Sequence, residues 1–168
     1  FSLFKSNYDF KTLYGNYKSF SINYCKTYFN DFSGFKCLKD LFVVGNHYIE
    51  NIKGFNGKNL YLDSCSNLKT FNFQNLNHLY LCNNSLITGK DTENFKNIKT
   101  LDLSYTNIEY LSDSIDNLKI FVGTGCINLK YFPNYYSLQL LNLSSCQNLK
   151  KILTPNINTL NIYDCKNL

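Results

Sequence analysis

Apolar residues recur along the chain in pairs two positions apart, and the pairs themselves return about every 20 residues: Phe1 and Leu3, Phe20 and Ile22, Leu41 and Val43, Leu60 and Leu62, Leu79 and Leu81, Leu101 and Leu103, Phe121 and Gly123, Leu141 and Leu143, Leu160 and Ile162. Only Gly123 is out of character. Alternation with a period of two predicts a short strand with one inward face. A near-constant interval, with steps of 19, 21, 19, 19, 22, 20, 20 and 19 between first members, predicts one such strand per coil of a solenoid. The strands are then parallel and about 4.8 Å apart, with Leu60, Leu79 and Leu101 stacked as neighbours.

Other columns keep the same phase. Three residues before the first member of each pair, here called the anchor, lie Tyr17, Leu38, Leu76, Ile98, Leu118, Leu138 and Ile157, with Gly57 breaking the series. Five residues after it lie Ser6, Cys25, Asn46, Cys65, Asn84, Thr106, Cys126, Cys146 and Cys165, all small and polar or thiols. Backbone groups at a bend sealed inside a coil need partners, and a short side chain reaching between coils supplies them. Asparagine does this best. A further apolar residue is expected seven or eight places past the anchor, at Tyr8, Tyr28, Tyr48, Leu68, Leu86, Ile108, Leu129, Leu149 and Leu168.

This arrangement resembles the leucine-rich-repeat pattern L-x-x-L-x-L-x-x-N/C-x-L over nearly the whole chain, most clearly from Leu60 to Leu168. Short repeats of about 20 residues with a Cys/Asn ladder are its particular form here. The resemblance implies an α/β solenoid class fold, a right-handed horseshoe with a parallel β-sheet on the concave face. A single domain over residues 1–168 is expected, as a fragment of, or nearly all of, a longer chain.

Seven to ten residues remain for the return path of each coil, too few for a full helix. Extended or single-turn 3-10 segments are therefore expected there. Asp91 to Ile98, in the longest repeat, is the best helix candidate, with Asp91 or Thr92 as cap. Phe32, Ile52, Phe71, Leu111, Phe132 and Ile152 should fill the core from the convex side.

Composition changes this picture little. The net charge of +5 comes from 17 lysines and no arginine, in a chain also rich in Asn, Phe and Tyr, a bias that AT-rich coding explains. The sequons at Asn83 and Asn142 are expected by chance in so Asn-rich a chain. No apolar run of membrane-spanning length occurs, so no membrane partner is expected.

Seven cysteines are an odd number for a disulfide framework, and five of them sit in the ladder column. Reduced, buried thiols are the expectation, which fits an intracellular compartment, cytoplasmic or nuclear. His47 and His78 fall in different coils, and no C-x-x-C, H-E-x-x-H, G-x-x-x-x-G-K or G-x-S-x-G motif is present. No catalytic residue, metal ligand or cofactor is expected.

Side chains beside the inward pairs point the other way and tile the concave face. One residue past the anchor stand Phe42, Tyr61 and Tyr80 in successive coils, an exposed aromatic ladder flanked by Asp40, Asp63, His78 and Asp102. Aromatics beside a few charges resemble interface anchors, and partner proteins on a concave face are what the family resemblance implies. Rings that merely steady the sheet are the competing reading. Two residues before the anchor, Lys18, Lys39, Lys58, Lys99 and Lys119 line one rim. Such a rim fits a subunit of a large assembly such as a ribonucleoprotein, although missing arginine and the aspartates argue against nucleic acid. A third expectation is the substrate-recognition part of a ligase or pathogen effector.

Overall fold

The computed structural model describes residues 1–5, 15–70, 73, 75–154 and 156–168. The expected residues Ser6, Tyr8 and Phe71 lie outside this set. Nine strands form one parallel sheet: β1 (Ser2–Phe4), β2 (Ser19–Asn23), β3 (Asp40–Val44), β4 (Asn59–Asp63), β5 (His78–Tyr80), β6 (Thr100–Asp102), β7 (Ile120–Val122), β9 (Leu140–Asn142) and β11 (Thr159–Asn161). They follow one another in chain order, so the chain is a solenoid of parallel strands. Leu60 pairs with Leu79 and Leu79 with Leu101, the neighbour relation that the spacing predicts.

Alternation accounts for the core. In β2, β3 and β4 the inward residues are buried and those between them are half-buried. Anchors from Phe20 to Leu141 are fully buried. At the edge strands, Phe1, Leu160 and Ile162 are exposed, because a residue there is covered from one side only. Gly123 has a packing reason: a Cβ would meet the Phe121 ring at 2.6 Å, so the larger anchor occupies the space its own partner leaves. Gly57 is explained in the same way, with the Phe55 ring 2.3 Å from where its Cβ would stand.

The inner bend repeats more regularly than its residue types do. Four residues past the anchor, Lys5, Tyr24, Gly45, Ser64, Asn83, Tyr105, Gly125, Ser145 and Asp164 all have φ between 48° and 67°. A left-handed conformation costs a non-glycine residue roughly 1–2 kcal/mol. What offsets it is a backbone bond: from Lys5 to Ser145 each of these N–H groups donates to a carbonyl of the next coil at 2.7 to 3.1 Å. Tyr24 lies against Gly45 and Tyr105 against Gly125, where a Cβ would come within 2.3 and 2.6 Å of the rings.

The following ladder residue then turns inward as expected. Cys65, Asn84, Cys126, Cys146 and Cys165 donate to the carbonyls of Val43, Leu62, Leu103, Gly123 and Leu143 in the preceding coils. Asn84 also accepts from the Cys65 N–H at 2.9 Å and donates to the Cys82 carbonyl at 2.9 Å. All seven cysteines are free thiols.

On the return path three expectations change. Ile49 and Ile87 are the buried residues, whereas Tyr48 is half-buried and Leu86 is exposed; Tyr28 is also exposed, with Phe29 packed on the core instead. In these coils the path runs one residue further before turning inward, whereas Ile108, seven past its anchor, is buried as expected. The helix is a 3-10 turn, Gly89–Asn94, capped by Thr88: Asp91 sits inside its first turn and accepts from the Thr88 N–H at 2.8 Å and hydroxyl at 2.7 Å. Thr92 is buried within it. Phe32, Leu111 and Phe132 fill the core as predicted, while Ile52 and Ile152 are half-buried. A further column, Phe35, Phe95, Ile115 and Tyr135, lies six residues before the anchor and is buried as well. Two short pieces, β8 (Tyr131–Phe132) and β10 (Lys151–Ile152), pair on this side as a second parallel sheet.

Candidate protein-binding face

The register of β3, β4 and β5 sets Phe42 opposite Tyr61 and Tyr61 opposite Tyr80. Identical backbone rows give the three side chains the same direction, and the rings stack. Phe42 and Tyr61 have centroids 4.2 Å apart at 10°, and Tyr61 and Tyr80 4.3 Å apart at 10°. Ring faces are therefore spent on one another, and all three residues are half-buried rather than exposed, a correction to the expectation. A partner would meet ring edges, the two tyrosine hydroxyl ends and the outermost faces of the stack.

The row continues through Asp102, Val122, Asn142 and Asn161, without rings. Here the side chains serve their own coils. Asp102 Oδ1 accepts from the Ser104 N–H at 2.9 Å and hydroxyl at 2.6 Å, and Asn142 Oδ1 does the same with Ser144 at 3.0 and 2.7 Å. Such Asx bonds fix the chain as it leaves the strand. These bonds were missed, although Asp/Asn-x-Ser recurs at that point.

The remaining candidates divide into two groups. Asp40, Asp63 and His78 surround the rings and are half-buried. Asp40 accepts from Asn59 at 2.6 Å, and Asp63 from Ser64 at 2.9 Å and Asn83 at 2.8 Å. None of these aspartates forms an ion pair among the described residues. Lys18, Lys39, Lys58, Lys99 and Lys119 are all exposed and likewise form no ion pair; Lys58 Nζ donates to the Asn75 carbonyl at 3.1 Å. The five lysines belong to a backbone row in which Lys18, Lys39, Lys58, Lys99 and Lys119 each lend a carbonyl to the next coil. Rim and rings are thus separate features of one sheet.

Electrostatics on this face follow from burial and from aspartate. Burial raises the Tyr80 phenol, with Tyr61 and then Asp102 adding to it. The Cys82 thiol beside it is pushed up to about 12, first by burial and then by Asp102. Among the described residues no three of His, Cys, Asp or Glu are grouped as a metal site would need, and no helix is long and apolar enough to cross a membrane. No family model, curated protein or solved structure matches the chain.

Proposed function

We propose that the chain is a leucine-rich-repeat scaffold without catalytic chemistry of its own, which holds a protein partner on the concave face of its sheet. The observation that carries this reading is the stack of Phe42, Tyr61 and Tyr80 on the solvent side of strands whose other side already supplies a complete core. Large aromatic surface placed outside the core, beside aspartates that form no ion pair among the described residues, is the composition of an interface anchor. Free thiols throughout support a reducing, intracellular setting.

Affinity capture from native lysate tests the proposal, comparing the intact chain with a Phe42→Ala, Tyr61→Ala, Tyr80→Ala variant whose folding is checked by circular dichroism. A partner held by the intact chain and lost by the folded triple variant is the expected result. Retention by the variant overturns it. A second reading, an assembly subunit held through Lys18, Lys39, Lys58, Lys99 and Lys119, is supported by their exposure and lack of ion pairs. Capture that collapses with salt and with Lys→Gln changes, yet survives loss of the rings, selects that reading.

A further inference from the structure

The aromatic stack has two ends, and they differ. Beyond Phe42 the next side chain in the row is Ser21, whose hydroxyl accepts from the Asn23 amide at 2.8 Å. Beyond Tyr80 it is Asp102. Neither side chain carries a ring, so among the described residues no further aromatic side chain extends the row at either end. At the Ser21 end the facing side chain is an uncharged hydroxyl. At the Asp102 end a carboxylate faces the terminal tyrosine from the next strand and forms no ion pair among the described residues.

A planar cation suits that place on two counts: it can lie flat on the Tyr80 face as a fourth layer, and it can meet the Asp102 carboxylate at its edge. Guanidinium has both properties, being flat, permanently charged, weakly hydrated and able to stack on aromatic rings. A lysine ammonium offers the charge without the plane. This chain contains no arginine, so it cannot fill the position itself.

We propose that the Tyr80 and Asp102 end of the stack is a recognition site for an arginine side chain of the partner protein. The inference rests on the concave-face reading above and adds the partner's chemistry to it. Charge complementarity places the arginine at this end, where a carboxylate stands in the row of the rings themselves, whereas the row places Ser21 opposite Phe42. Asp102 keeps its bonds to Ser104 throughout, since these hold the carboxylate at the edge of the stack.

The test is a titration of the whole chain with blocked tetrapeptides that differ only in one residue, arginine, citrulline, lysine or glutamate, followed through the ring signals of Phe42, Tyr61 and Tyr80 by NMR. Saturable shifts centred on Tyr80 are expected with the arginine peptide, about fivefold weaker binding with citrulline, and intermediate binding with lysine. Asp102→Asn should weaken the arginine peptide about fivefold and leave the citrulline peptide unchanged. That variant is expected to fold normally, because Asn142 makes the same pair of bonds to Ser144 in the equivalent place. Equal binding of arginine and citrulline, an Asp102→Asn titration like that of the original chain, shifts centred on Phe42, or preference for the glutamate peptide would each overturn the site. The peptides need no natural partner, so their outcome stands apart from lysate capture: captured protein that ignores Asp102→Asn sinks the arginine site alone.

Discussion

The coils carrying β3 to β5 and those carrying β6 to β9 share one backbone and use it differently. Outside, the first group spends its row on Phe42, Tyr61 and Tyr80, and the second on Asp102 and Asn142 bonded to Ser104 and Ser144. Inside, the first group closes its bends with Asn46, Cys65 and Asn84, the second with Thr106, Cys126 and Cys146. An amide ties several backbone groups at once, whereas a thiol donates one bond and accepts poorly. The difference teaches that the coil geometry tolerates several chemistries at one position, so what a stretch of this surface can recognise belongs to the row and not to the fold.

The largest expected effect falls on the inner row. Asn84→Ala leaves the Cys65 N–H and the Leu62 and Cys82 carbonyls without that side chain, so urea denaturation should register a loss of about 3 kcal/mol. Cys146→Ala removes one bond, to Gly123, and should cost about 1 kcal/mol. Equal losses would break the contrast between an amide and a thiol at this position of the coil. On the outer row, Tyr61→Ala removes two stacked contacts and should cost about 2 kcal/mol, against about 1 kcal/mol for Asn142→Ala. If both cost the same, the rings are no more than ordinary sheet packing.

A further effect is alkaline. Burial pushes the Cys65 and Cys146 thiols from 9.0 up to about 12, so the folded chain keeps protons that the unfolded chain gives up. Their contribution is complete below pH 9 and is lost as the pH climbs from there toward about 12. The slope is at most about 1.4 kcal/mol per thiol per pH unit. Denaturation midpoints should fall over that window, and less steeply in Cys146→Ala; a slope unchanged in that variant would remove Cys146 from the account.

The strand rows were legible because inward pairing fixes residue type: a buried anchor has to be apolar, and Leu60, Leu79 and Leu101 announce it. The ring stack followed from the same phase. The bend was not legible, since its left-handed position is occupied by Lys5, Tyr24, Ser64 and Asp164 as well as by glycine, and an inter-coil bond rather than a residue preference holds it. The return path misled for another reason. Tyr48 and Leu86 stand next to Ile49 and Ile87, and adjacent apolar residues carry no phase from which to choose. Half-burial of the rings was likewise hidden, because rotamers and not spacing decide whether faces or edges meet.

The ring stack has a mechanical meaning. Its layers are 4.2 and 4.3 Å apart, while hydrogen-bonded strands are separated by about 4.8 Å. The aromatic side of the sheet is therefore drawn shorter than its amide backbone, like the cord of a bow. Spreading these coils would pull the rings apart, so the stack resists a change in the spacing of its own strands.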